Sequence, residues 1–231
     1  MFGSPSSTPH IKICCIANAM EIALAVGAGA SALGLVSAMP SGPGIIPDDV
    51  IAHLATLVPP PVLSVLLTSR TLARDLIDQQ DRCRASVLQL CDAVTPETRR
   101  TLRQALPGVH IMQVIHVADA DSIAEAREAA EFSDALLLDS GQPQAAQRSL
   151  GGTGRTHDWE ISRAIREAVG LPLFLAGGLT AENVGEALRR VRPFGVDVCS
   201  GVRTAGKLDP DKLRRFVAAV RRVEIEACEK G

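Results

Sequence analysis

A chain of 231 residues with 46% hydrophobic content is long enough to bury one substantial core and short for two. Its formal charge of −2, with acids and bases mixed, offers no basic surface to nucleic acid or to an anionic membrane. With no Tyr and one Trp there is no stacking platform for bases, and six cysteines without a C-x-x-C pair or a disulfide framework point to a reducing cytoplasm.

In chain order, residues 1–9 carry neither a basic start nor an apolar run, so they are read as a flexible leader rather than a signal peptide, and residues 10–231 as one domain. Short apolar strands are predicted at 11–15, 32–37, 62–68, 86–91, 109–115, 134–139, 172–176 and 195–200. Amphipathic segments follow near 17–28, 47–58, 70–82, 95–106, 119–133, 157–169, 181–191 and 209–227. Strand–helix alternation repeated eight times implies parallel crossovers and an α/β fold, a single (β/α)₈ barrel. An open doubly wound sheet is disfavoured because no Gly-x-Gly-x-x-Gly follows the first strand. The apolar stretch from Ile22 to Met39 contains Gly27, Gly29 and Gly34, and reads as a helix, a turn and a strand rather than a membrane span. Pro47-Asp-Asp49, Thr95-Pro-Glu97, Thr180-Ala-Glu182 and Asp209-Pro-Asp211 look like helix starts with acids in the first turn. The irregular piece from Ser140 to Thr156 is long enough for a working lid.

Barrel enzymes carry their chemistry at the C-terminal ends of strands. Period-2 alternation puts Lys12 and Cys14 on one face of the first strand and turns them inward, opposite Ile11, Ile13 and Cys15. A buried Cys is usually a small hydrophobe, but a cation on the same face favours a thiolate. Asp139 ends the sixth strand, either as a cap for the following loop or as a catalytic acid. Asp197, deeper in an apolar run, reads as an orienting or structural carboxylate. Gly177-Gly178 after the seventh strand and Ser200-Gly201 after the eighth leave backbone amides near helix starts, the pattern of a phosphate site between the last two strands. Gly151-Gly-Thr-Gly-Arg-Thr156 is too short for a Walker loop. It reads either as a glycine-rich cover over a phosphorylated substrate or as a flexible turn. The five scattered histidines have no metal-ligand spacing, so no metal is expected.

These residues resemble the phosphoribosylanthranilate isomerase family of tryptophan biosynthesis. The resemblance covers about residues 10 to 220. Its matching pieces include Lys12-Ile-Cys14 and Leu136-Leu-Leu-Asp139, and the more specific ones are Gly151-Gly-Thr-Gly-Arg-Thr-His-Asp-Trp159, Leu175-Ala-Gly-Gly-Leu179 and Val196 to Val202. It implies a cofactor-free Amadori rearrangement of a phosphorylated sugar substrate, with Cys14 as general base and Asp139 as general acid. Gly177, Gly178, Ser200 and Gly201 would hold the phosphate through backbone amides, and Gly152, Gly154 and Arg155 would lie in a loop that closes over it. Three departures stand out. Cys15 takes the place of a glycine after the Lys-Ile-Cys. Pro40-Ser-Gly-Pro replaces a Ser-Pro-Arg whose Arg pairs with the anthranilate carboxylate. Asp92 adds an acid after the fourth strand where an anion would approach. A substitute cation is expected from Arg203 or Arg155, and the other cysteines are expected to be structural. A paralogous isomerase of another phosphorylated aminosugar, and a non-catalytic phosphate-binding barrel, remain as alternatives.

Overall fold

The computed structural model describes residues 8–140 and 158–228. Eight strands, β1 (His10–Ile13), β2 (Ala32–Val36), β3 (Leu63–Thr68), β4 (Val87–Leu90), β5 (His110–His116), β6 (Ala135–Asp139), β7 (Leu173–Leu175) and β8 (Gly195–Val198), close in sequence order into a parallel barrel. The helices between and after them are α1 (Ala19–Gly27), α2 (Asp48–Leu57), α3 (Ala73–Cys83), α4 (Pro96–Ala105), α5 (Ser122–Ala130), α6 (Trp159–Ala168), α7 (Val184–Val191) and α8 (Pro210–Cys228). Every predicted strand and helix is present, and the stretch from Ile22 to Met39 resolves into α1, a turn and β2. Among the described residues no helix is long and apolar enough to cross a membrane.

Alternation along each strand sorts the side chains into two buried layers. Ile11, Ile13, Leu33, Leu35, Leu66, Leu88, Ile111, Leu136 and Leu138 face the helices and are fully buried. Each such side chain contributes about 1.5–3 kcal/mol relative to exposure. Ala32, Val36, Val65, Leu67, Val87, Met112, Val114, Leu137 and Phe174 fill the interior. The N-terminal end is plugged by Phe174 packed edge-on against Phe194, with ring centroids 5.6 Å apart, and by His10 stacked on Phe194 at 4.3 Å. Gly195 is required there, because a Cβ would stand 2.6 Å from the Phe174 ring. The plug leaves the C-terminal end of the barrel as the place for a ligand.

Two local features differ from the sequence expectation. Helix α7 begins at Val184, three residues after the expected 181, because the Asn183 side chain makes a turn instead. Its Oδ1 accepts from the Thr180 amide at 2.8 Å and its Nδ2 donates to the Gly178 carbonyl at 2.9 Å. After β8 the chain makes a 3₁₀ turn over Ser200–Val202 and a small antiparallel pair, β9 (Arg203–Thr204) and β10 (Lys207–Leu208), before α8. The Asp209 carboxylate then caps α8 by accepting from the Asp211 and Lys212 amides.

Lys12 and Asp197 are register partners across the β1–β8 seam, and Lys12 Nζ lies 3.0 Å from Asp197 Oδ1. Lys12 is fully buried. Burial alone would lower its pKa, but the Asp197 carboxylate beside it holds it above the ordinary lysine value. Removing one partner strands the other charge, so Lys12→Met is expected to cost on the order of 3–5 kcal/mol in chemical denaturation, whereas Lys12→Met combined with Asp197→Leu recovers most of that loss. Equal losses in the single and double variants would contradict a charge-balanced seam.

Candidate active site

Cys14 stands one residue beyond β1, and its amide donates to the Val198 carbonyl at 2.9 Å, so the β1–β8 ladder extends far enough to fix it. Across on β2, Gly34 makes room for the thiol: a Cβ there would sit 3.0 Å from Cys14 Sγ and 3.2 Å from its Cα. The chain then turns at Cys15, whose φ of 65° lies in the left-handed region that glycine adopts at least cost. The replacement of a glycine at this place therefore keeps the glycine conformation. The added side chain packs against Gly44, where a Cβ would come within 2.5 Å of the Cys15 Cβ.

Asp139 closes β6 opposite His116 of β5. Its Oδ1 accepts from the Ser140 amide at 2.7 Å. Burial raises its carboxyl above the ordinary value, an effect that the Ser140 hydrogen bond and the nearby His116 only partly offset. A cavity carboxyl whose affinity for its proton is raised is suited to general-acid work.

Cys14, Asp139, Gly177, Gly178 and Ser200 line one open cavity, together with Gln89, Cys91, Asp197 and a wall of Met39, Ser41, Gly42 and Pro43. Gly177 and Gly178 both adopt left-handed conformations, with φ of 83° and 62°. Among the described residues their amides donate to no backbone carbonyl. Asn183 holds the Gly178 carbonyl from behind. Gly201 lies beside the cavity rather than in it, lining an adjoining cleft with Ser200, Lys212 and Arg215. A Cβ on Gly201 would collide with the Leu179 carbonyl, so only glycine lets the loops after β7 and β8 come this close. Gly152, Gly154 and Arg155 lie outside the described residues.

Two expectations are corrected. Arg203 does not face the cavity. Its guanidinium pairs with Glu21 at 2.9 and 3.1 Å and donates to the carbonyls of Cys14, Cys15 and Gly206 at 3.1, 2.6 and 3.0 Å. It is thus a brace behind the Cys14–Cys15 turn. Although burial pulls the other way, Arg203 holds the Glu21 carboxyl below its ordinary value. Asp92 is buried away from the lining of the cavity, and its carbonyl accepts from Gln113 at 3.0 Å. Glu21 and Asn183 were not singled out from the sequence as positioning residues. Each carries a local signal: Asn18-x-x-Glu21 has capping-box spacing, with the Glu21 amide donating to Asn18 Oδ1 at 3.0 Å, and Thr180-x-x-Asn183 has the spacing of a side-chain-closed turn.

With the site in view, the chain can be compared with known proteins. A family model described as N-(5'-phosphoribosyl)anthranilate (PRA) isomerase matches residues 11–219. The N-(5'-phosphoribosyl)anthranilate isomerase of Methanocella arvoryzae is 34% identical over 213 residues, covering 92% of this chain and 98% of its own. The protein of the same name from Haloferax volcanii is 38% identical, covering 92% and 93%. A crystal structure of a phosphoribosyl anthranilate isomerase in complex with reduced 1-(o-carboxyphenylamino)-1-deoxyribulose 5-phosphate superimposes with a TM-score of 0.78 at 26% identity. It covers 93% of this chain and 100% of that one.

The raised Asp139 carboxyl has a consequence for stability. Between the ordinary carboxylate value and its raised one, the folded protein holds a proton that the unfolded chain has lost, so the wild type loses stability as pH rises through that window. Asn carries no such charge. Asp139→Asn is therefore expected to raise Tm at neutral pH, with the gain shrinking as pH falls toward about 4. A Tm difference independent of pH would contradict a carboxyl strained by burial.

Proposed function

The chain belongs to the N-(5'-phosphoribosyl)anthranilate (PRA) isomerase family, and from that premise we propose how its own residues carry the reaction. That reaction is the Amadori rearrangement of N-(5'-phosphoribosyl)anthranilate to 1-(2-carboxyphenylamino)-1-deoxyribulose 5-phosphate. Asp139 protonates the furanose ring oxygen, and the ring opens to a Schiff base. Cys14 takes the proton from C2, giving an enolamine. Protonation at C1 and loss of the hydroxyl proton at C2 complete the ketone. The sum is an isomerisation with no net redox change, so the division of labour between one acid and one base is sufficient. The observation that carries this assignment is that Cys14 and Asp139, 125 positions apart in sequence, line the same cavity, with the carboxyl raised above its ordinary value by burial.

The amides of Gly177, Gly178, Ser200 and Gly201 take the phosphate, a role supported by the left-handed backbone of Gly177 and Gly178 and by the 3₁₀ turn over Ser200–Val202. Binding at this remote group positions C2 over the base. At the aglycone end, Met39, Ser41, Gly42 and Pro43 bring no cation, and Arg203 is committed to Glu21. The carboxylate of anthranilate is then met by Arg155. The same cation-free wall favours a second reading, an isomerase of a phosphoribosyl amine with an uncharged aglycone.

A fluorescence assay with freshly formed phosphoribosyl anthranilate separates these readings. Cys14→Ser and Asp139→Asn are each expected to lower kcat by at least about 100-fold. Arg155→Ala is expected to lower kcat/KM by about ten- to a hundredfold, the value of a charge-assisted hydrogen-bond pair. Wild-type kcat in Cys14→Ser would sink the base assignment. An unchanged kcat/KM in Arg155→Ala, with faster turnover of an uncharged aryl amine, would favour the second reading.

A further inference from the structure

The sequence reading left Cys15 and Cys199 as structural thiols, yet their Sγ atoms lie 2.6 Å apart although 184 positions separate them in the chain. Both line the substrate cavity. Cys15 follows Cys14 directly, and Cys199 directly precedes Ser200. The backbones that carry them are fixed by the β1–β8 ladder, in which Lys12 pairs with Asp197 and Ile13 with Val198, and by the Cys14 amide bond to Val198. We propose that Cys15 and Cys199 close into a reversible disulfide at the rim of the cavity, stapling the end of β1 to the end of β8 and switching the site off under oxidising conditions.

A disulfide needs about 2.05 Å between sulfurs, so the bond requires only about half an ångström of further approach. The thiols are not equivalent. Cys199 is the more acidic partner, lowered by a hydrogen bond from the Cys15 thiol and by the nearby Arg203 against the effect of burial, whereas Cys15 is raised. Cys91, in the same cavity, is fully buried and pushed up to about 12, so it does not compete.

With hydrogen peroxide as oxidant, the Cys199 thiolate attacks one peroxide oxygen and the O–O bond breaks, leaving a sulfenic acid and a hydroxide. The hydroxide takes the Cys15 proton and becomes water. The Cys15 sulfur then attacks the sulfenic sulfur, the S–O bond breaks, and the second oxygen leaves as hydroxide, which takes up the proton that Cys199 had given to solvent and becomes water. Two thiols and one peroxide thus give one disulfide and two waters, the sulfurs losing the two electrons that the peroxide gains. Cys15 cannot shift alone, because Arg203 grips its carbonyl and that of Cys14 together. Displacing a catalytic group by about 1 Å can cost a hundredfold, so the oxidised protein is expected to lose at least about tenfold in turnover. This effect on turnover rests on Cys14 being the base, but formation of the bond does not.

The test treats full-length Cys14→Ser with hydrogen peroxide, alkylates it with iodoacetamide and maps its peptides by mass spectrometry. The Cys14 substitution leaves Cys15 as the only thiol of its peptide able to cross-link. In parallel, wild-type turnover is followed before and after peroxide and after dithiothreitol. A Cys15–Cys199 cross-linked peptide that dithiothreitol removes, with loss and recovery of wild-type turnover, is the expected result. Recovery of Cys15 and Cys199 as separately alkylated thiols after peroxide would overturn the proposal. A cross-link that leaves turnover unchanged would overturn the switch. Failure of the isomerase reading itself would appear separately, as no turnover in the reduced wild type.

Discussion

Lys12 and Asp197 meet where the barrel closes. They are paired residues of the first and last strands, and their charges face each other in the interior rather than in solvent. A buried pair of this kind gains little net stability over apolar residues, but removing one partner is costly, so it specifies the register of the seam more than it strengthens it. Register matters here because the next residues along the two strands are the ones that line the cavity. A one-residue slip would turn Cys14 outward and replace it with Cys15 or Ile13. The seam therefore places Cys14 inside, and Ser200 beside it, before any ligand arrives.

Around that seam the protein makes repeated use of close backbone approach. Gly34 gives the Cys14 thiol its space, Gly177 and Gly178 carry the left-handed turn after β7, and Gly201 lets the turn after β8 lie against the Leu179 carbonyl. Side chains brace these turns from outside the cavity. Asn183 holds the Gly178 carbonyl, and the Arg203–Glu21 pair holds the carbonyls of Cys14 and Cys15. The cavity itself is lined by the Gly177–Gly178 backbone, the thiols of Cys14, Cys15, Cys91 and Cys199 and the carboxyls of Asp139 and Asp197, among apolar side chains. Supporting groups of this kind are what keep a catalytic constellation within the small tolerance that chemistry allows.

The barrel was legible because its eight strands are short apolar runs and the helices between them are amphipathic, a signal that depends only on neighbours along the chain. Cys14 and Asp139 drew attention for a related reason: each ends such a run, and the structure brings both to one cavity. Arg203 was misread as a substrate clamp because its partner, Glu21, is 182 positions away and nothing local reveals that the charge is already satisfied. The contact between Cys15 and Cys199 was hidden in the same way, since it exists only once β8 closes on β1. The start of α7 was misplaced because Thr180 and Glu182 look like a cap and a first-turn acid. The Asn183 side chain takes up the Thr180 amide and delays the helix by three residues.

The central claim is that one cavity holds the phosphate between the ends of β7 and β8 and presents the sugar to Cys14 on one side and Asp139 on another. The most direct measurement is a crystal structure of the protein with the reduced product analogue 1-(o-carboxyphenylamino)-1-deoxyribulose 5-phosphate. The account predicts the phosphate on the amides of Gly177, Gly178, Ser200 and Gly201, with C2 of the sugar chain beside Cys14 Sγ and the C4 hydroxyl, which stands for the former ring oxygen, within hydrogen-bond reach of Asp139. A phosphate seated elsewhere, or a sugar chain that leaves Cys14 out of contact with C2, would contradict it.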